Sequence, residues 1–253
     1  MDKESINKDI SLPLHKGGGG RGERLLALFD MDGVLYDSMP NHAIAWVQAM
    51  DSYGIVFTPS DSYATEGARG VETIQRFVKD QHGRDITEAE AQTMYDEKAR
   101  IFATLPVAQM MPGAIELMRK MRQSGLLIGV VTGSAQRPLI ARVLEEYGEF
   151  VSAEHIVTAY DVKRGKPAPD PYLMGMQKIS DVLGRAALPE ETIVVENAPL
   201  GVRAGHAAGA FVIGANTGPL PDSMLKDSGA DVIYPSMQAL ADDWDNLFPH
   251  ART

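Results

Sequence analysis

An unbroken apolar run at 25–29 stops abruptly at Asp30, Asp32 and Gly33. A run this short, bounded by turn residues, predicts a buried strand whose C-terminal end opens into a loop. The same pattern returns at 126–131 before Thr132, Gly133 and Ser134, at 192–196 before Asn197, and at 211–216. The stretches between these runs carry helical periodicity. Alternating strands and helices join through right-handed crossovers, so the expected fold is α/β. It is a doubly wound, Rossmann-like parallel sheet whose ligands gather outside the carboxyl ends of the strands.

After Ser38 the pattern changes. Segments such as 71–83 and 87–105 have helical spacing and no strand signal, which predicts an inserted α-helical cap domain over 39–111. The catalytic core is then 24–38 together with 112–253. An insertion directly after the first strand acts as a lid over the site, held by linkers near 38–41 and 106–112. The leader 1–23 is polar and contains four consecutive glycines from Gly17 to Gly20, so it reads as a flexible arm outside the fold.

Composition narrows the function classes. The chain has 253 residues, 44% hydrophobic and 23% charged, enough for a sizeable core. A net charge of -10 without a Lys/Arg cluster presents an unfavourable field to a nucleic-acid backbone, so no nucleic-acid partner is expected. No apolar run approaches the roughly 20 residues needed to cross a bilayer, and the leader lacks a secretory apolar segment. A cytoplasmic protein, without a membrane partner and existing as a monomer or weak dimer, is expected. The absence of cysteine removes disulfides, thiolate metal sites and cysteine nucleophiles.

Asp30 and Asp32 sit where a strand hands over to a loop, and two carboxylates that converge there need a shared proton or a cation. Taken alone, the pair also suits a turn with capping aspartates. Thr132, Gly133 and Ser134 offer a hydroxyl and backbone N–H groups near a helix start, a cradle for an oxyanion. Lys166 lies in GKPAPDPY, where prolines stiffen the backbone that presents the cation. Glu196 and Asn197 add oxygen donors suited to a hard divalent ion.

DMDGVLYDS, VVTGS, GKPAPDPY and VVENAPLGVRAGHAAG follow one another in the order of the four motifs of the haloacid dehalogenase superfamily, and about 25–217 resembles it. The nearest likeness is the branch with a helical cap after the first motif, which includes β-phosphoglucomutases and small-molecule phosphatases. The resemblance implies that Asp30 attacks phosphorus and forms a phospho-aspartate. It makes Asp32 the acid and then the base, and gives Thr132 and Lys166 to the transferring phosphoryl oxygens. Mg²⁺ would be held by Asp30, the backbone carbonyl of Asp32 and the acids of the last motif. His42 and Trp46 match an H-x-x-x-W pattern of this branch, although taken by themselves a helix-start or hinge histidine and a core tryptophan account for them better.

One position departs from the pattern. Relatives commonly carry a metal-binding aspartate where this chain has Asn197, which leaves the site one charge short. Glu66, an ordinary exposed glutamate when taken alone, is a candidate to complete the shell from the cap. Glu66, Asn197 and Tyr95 together resemble capped bacterial inorganic pyrophosphatases of the superfamily. Arg69 is a candidate phosphate contact or a surface ion pair. The expectation is a Mg²⁺-dependent phosphohydrolase acting on inorganic pyrophosphate, with a sugar-phosphate phosphatase or β-phosphoglucomutase as the alternative and a non-catalytic phosphate sensor as a remote one. Gly70 lacks the arginine of mutase relatives, which weighs against the mutase.

Overall fold

The computed structural model describes residues 25–134 and 137–248, without the Arg137 side chain. The leader read as an arm lies outside the described residues. The first strand, β1 (Leu26–Phe29), is buried along its whole length. Ala27 and Phe29 enter one hydrophobic cluster while Leu26 and Leu28 enter another. Alternate side chains of a strand face opposite ways, so both faces of β1 must be covered.

The chain then leaves the sheet for four helices, α1 (Met39–Ser52), α2 (Pro59–Ala64), α3 (Gly70–His82) and α4 (Glu88–Phe102). Thr58 and Asp61 form a capping box that starts α2, and Thr87 and Glu90 form one that starts α4. Such boxes satisfy N–H groups that a helix start leaves without partners. Helices α1, α3 and α4, with the segment after α1, close around Trp46, Met50, Ile55, Phe57, Ile74 and Met94, a core separate from that of the sheet. The linkers into and out of this unit run side by side. Asp37 N–H donates to Gln109 O at 2.9 Å, Met111 N–H to Leu35 O at 2.8 Å, and Asn41 Nδ2 to Pro106 O at 2.7 Å.

The remaining chain alternates α5 (Ala114–Gln123), β2 (Leu127–Val131), α6 (Arg137–Tyr147), β3 (Ile156–Val157), α7 (Asp170–Leu183), β4 (Thr192–Glu196), α8 (Pro199–Ala207), β5 (Phe211–Ala215), α9 (Asp222–Asp227), β6 (Val232–Tyr234) and α10 (Met237–Leu247). The sheet order is β3-β2-β1-β4-β5-β6, and every pairing is parallel. Side chains from α5, α6 and α10 cover one face, and side chains from α7, α8 and α9 cover the other. This is the doubly wound α/β architecture expected from the sequence. β3 and β6 were absent from that expectation, because a two-residue strand and a half-buried three-residue strand carry almost no apolar run.

Register positions the site. Phe29 is paired with Val130 on one side and Val195 on the other, so β1, β2 and β4 end at nearly the same height. Asp30, Thr132 and Glu196 therefore emerge along one edge, facing the cap.

Candidate active site

Asp30, Asp32, Thr132, Lys166, Glu196 and Asn197 are all buried at this edge. Lys166 Nζ lies 2.5 Å from Asp30 Oδ1 and 2.6 Å from Glu196 Oε1, with a longer contact of 3.3 Å to Val131 O. An ammonium carries three protons, so these acceptors use its whole donor capacity. Burial acts to lower its pKa, but the two carboxylates outweigh it and hold Lys166 firmly protonated. Asp30 is pushed up to about 7, chiefly by burial, with Glu196 and Asp32 adding to the rise against the pull of Lys166.

Asp32 has a different environment. Burial works to raise its pKa, yet His42, the Ser38 hydroxyl and Lys98 together bring it below the ordinary carboxylate value. Ser38 Oγ donates to Asp32 Oδ1 at 2.6 Å. His42 Nε2 lies 3.3 Å from the same oxygen, in ion-pair range but without hydrogen-bond alignment. On the far side of the ring, Lys98 Nζ is 2.9 Å from His42 Nδ1. A protonated lysine can only donate, so Nδ1 accepts and the imidazole proton sits on Nε2, toward Asp32. Burial and Lys98 lower the pKa of His42, which keeps the ring neutral. Adjacent carboxylates thus have their pKa values driven apart.

The cap loop between α2 and α3 covers these groups. The carboxyl of half-buried Glu66 lies among Asp32, Asp30, Lys166 and Lys98, and burial together with both aspartates raises its pKa well above normal. Tyr95 is pushed up by burial, then by Glu66 and Asp32, so its phenol belongs to the same constellation. Its ring fills the space where a side chain at Gly70 would stand, 2.2 Å from the position of a Cβ. Gly133 faces the Gly67 carbonyl across the cap–core gap, and Thr132 Oγ1 accepts the Ser134 N–H at 3.0 Å.

Two expected residues have other partners. Arg69 is directed to Glu72 at 3.2 Å and Glu88 at 3.6 Å on the exposed cap surface, because two acidic side chains lie within reach there. Glu196, expected among metal ligands, accepts Lys166 and Tyr172 at Oε1 and the N–H groups of Asn197 and Ala198 at Oε2. Both of its oxygens are engaged, which makes it the anchor of Lys166.

Sequence reasoning missed Lys98, Ser38 and Tyr172. Lys98 had a readable signal, since it occupies the buried stripe of α4 with Ala91, Met94 and Ile101. A lysine at a position that helical periodicity assigns to the core needs a partner. Trp46, Tyr95 and Phe102 surround its ammonium at 5.3, 5.6 and 5.0 Å from their ring centroids. Ser38 and Tyr172 sit in segments where serine and tyrosine are ordinary, and only tertiary contact reveals their partners.

Asp30 Oδ2 and Asn197 Oδ1 are buried oxygens without a hydrogen-bond partner. Orphaned buried oxygens of this kind fit a hard divalent cation. Among the described residues no three His, Cys, Asp or Glu side chains form a metal-ligating group, so any such ion would rest on Asp30, the amide oxygen of Asn197 and backbone oxygen.

The family model described as haloacid dehalogenase-like hydrolase matches residues 25–209. Hexitol phosphatase A of Escherichia coli (strain K12) is 36% identical over 214 residues, covering 84% of this chain and 91% of that protein. Glycerol-1-phosphate phosphohydrolase 2 of Saccharomyces cerevisiae is 29% identical over 218 residues, 85% and 83% of the two chains. A solved structure from Bacteroides vulgatus, provisionally assigned as a β-phosphoglucomutase, aligns with TM-score 0.83 and 41% identity over 91% of each chain. With more than half of its length matched and its carboxylates at the ends of parallel strands beneath a helical cap, this chain belongs to the haloacid dehalogenase-like hydrolases, in the β-phosphoglucomutase-like branch.

Proposed function

We propose that this phosphatase of the haloacid dehalogenase-like family removes the phosphate of a small sugar or polyol phosphate through a phospho-aspartate on Asp30. The observation that carries the reading is the opposed setting of two neighbouring carboxylates, Asp30 held by Lys166 and Asp32 held by Ser38 and faced by His42. Asp30 attacks phosphorus while Lys166 and Thr132 receive the phosphoryl oxygens and compensate their charge. The incoming phosphate brings negative charge toward Asp32 and favours its protonated form, so Asp32 gives a proton to the departing oxygen. It then takes one from the water that hydrolyses the acyl phosphate. Asp30, Asn197 and the Asp32 carbonyl are the groups that would hold Mg²⁺, which would supply positive charge to offset that of the reacting phosphate.

The choice of a sugar or polyol is supported by the relatives named as hexitol and glycerol phosphate phosphatases. It also agrees with Glu66 and Tyr95, which bring a carboxyl and a phenol to the cap side, where they can hydrogen-bond hydroxyl groups. Inorganic pyrophosphate is a second reading, favoured by one pairing. Glu66 faces Asp30 and Asp32, and Asn197 stands where an acid is common, so a cation shared by cap and core would restore the missing charge.

A phosphate-release screen with Mg²⁺ over hexitol, hexose and glycerol phosphates and pyrophosphate tests both. A polyol phosphatase should favour a hydroxylated monoester, and Glu66→Ala should change which one while its Mg²⁺ dependence stays constant. Preference for pyrophosphate, with an increased Mg²⁺ requirement in Glu66→Ala, would select the second reading. Failure to release phosphate from any of them would reject both.

A further inference from the structure

Glu196 is held at four points. Its Oε2 accepts two backbone N–H groups at the start of α8, and its Oε1 accepts Lys166 at 2.6 Å and the Tyr172 hydroxyl at 2.6 Å. The pocket is closed on another side by Gly201, where a Cβ would come within 1.8 Å of Oε1. Tyr172 is wholly buried and lies in the first turn of α7, six residues after Lys166. One loop-and-helix unit therefore supplies both donors to a single carboxylate oxygen. The Lys166 ammonium also lies 5.3 Å from the centroid of the Tyr172 ring.

A bare Glu196 would compete with Asp30 and with an incoming phosphoryl group for Lys166. Charge-assisted hydrogen bonds are stronger than neutral ones, and in a buried site the competition is little screened. A phenol that donates to Oε1 draws off part of that oxygen's charge and fixes its direction. We propose that Tyr172 is a positioning residue for phosphoryl transfer, setting through Glu196 how tightly Lys166 is retained and keeping its ammonium beside Asp30. This inference rests on Lys166 serving the phosphoryl group as proposed above.

Tyr172→Phe tests it, since phenylalanine keeps the ring in the core and its face toward Lys166 while removing only the hydroxyl. A hydrogen bond to a charged group contributes about 10- to 100-fold, so kcat for 4-nitrophenyl phosphate should fall by about that factor. KM should change by less than about threefold, because the interaction serves transferring charge. In a Glu196→Gln background the same substitution should cost less than about twofold, as expected when one residue acts through the other. Tyr234→Phe is the control. It removes a tyrosine–carboxylate contact of equal length, 2.6 Å to Asp243, on the edge strand, and should leave kcat unchanged.

Retention of kcat within twofold in Tyr172→Phe, or a loss that multiplies fully with that of Glu196→Gln, would overturn the proposal. If the wild-type protein hydrolyses no phosphoester, the proposed function fails separately. Placement of Lys166 is then read from the ¹⁵N resonance of its ammonium group. A shift in Tyr172→Phe supports the proposal, and an unchanged resonance refutes it.

Discussion

Burial draws Lys98 down to about 8, against the opposing pull of Glu66 and Asp32. That value gives the cap a measurable signature. Above it, the ammonium that donates to His42 Nδ1 loses its charge, and the imidazole is no longer held with Nε2 toward Asp32. The rate should therefore fall on a basic limb near pH 8, and Lys98→Met should be slower with that limb absent, as a full pH–rate profile would reveal. The stability consequence has the opposite sign. Between about 8 and the ordinary lysine value the unfolded chain binds more protons than the folded one, so stability rises with pH there. Denaturant titrations across that interval should lose this slope in Lys98→Met. At the nucleophile, Asp30→Asn should cut kcat by about a thousandfold or more while preserving the circular dichroism of the fold, because an amide of the same shape attacks phosphorus poorly. Near-normal turnover in that variant would exclude the phospho-aspartate.

The loop between α2 and α3 meets the core through a backbone that only glycine accommodates. Gly67 has φ +83°, and a Cβ there would lie 2.8 Å from Lys166 Cδ. An alanine must strain the loop and displace either the lysine stem or the cap. Gly54 separates the two costs, since it has φ +69° and nothing within 4 Å of its Cβ position. Both Gly→Ala variants should lose about 1 kcal/mol of stability to the left-handed backbone. Gly67→Ala alone should lose activity, by about tenfold, because a small displacement at a phosphoryl-binding cation is costly. Parallel measurement of thermal midpoint and kcat decides the matter, and equal activity losses would show that contact with Lys166 is irrelevant.

Across the whole molecule, the site and the folding equilibrium are linked. Asp30 is raised to about 7, so the folded protein retains a proton that the unfolded chain has already released above about 4. Stability in the absence of metal therefore falls as pH rises through that window. A divalent cation that binds the ionised carboxylate reverses the penalty. The gain in thermal midpoint on adding Mg²⁺ should be larger at pH 7.5 than at pH 5.5, and Asp30→Asn should show neither the pH slope nor most of the gain. A Mg²⁺ effect independent of both pH and Asp30 would place the ion elsewhere.

Sequence alone determined the doubly wound sheet and the helical unit after the first strand, and it singled out Asp30, Asp32, Thr132 and Lys166, which lie buried at one edge of the sheet. These features are local. Apolar runs, helical periodicity and polar residues at strand ends are written into consecutive residues, and parallel pairing carries those ends to a common edge. The short strands β3 and β6 were not legible, since their pairing energy comes from neighbours in the sheet. Neither was the outcome at Glu196, whose partners Lys166 and Tyr172 lie 30 and 24 positions away. Arg69 and Glu66 belong to the same cap loop and looked alike as candidates, yet one reaches two surface glutamates and the other faces two buried aspartates. Which way each side chain points depends on how the cap packs against the core. Tertiary structure alone could decide that, because the energy of a charge is fixed by its neighbours and its access to water.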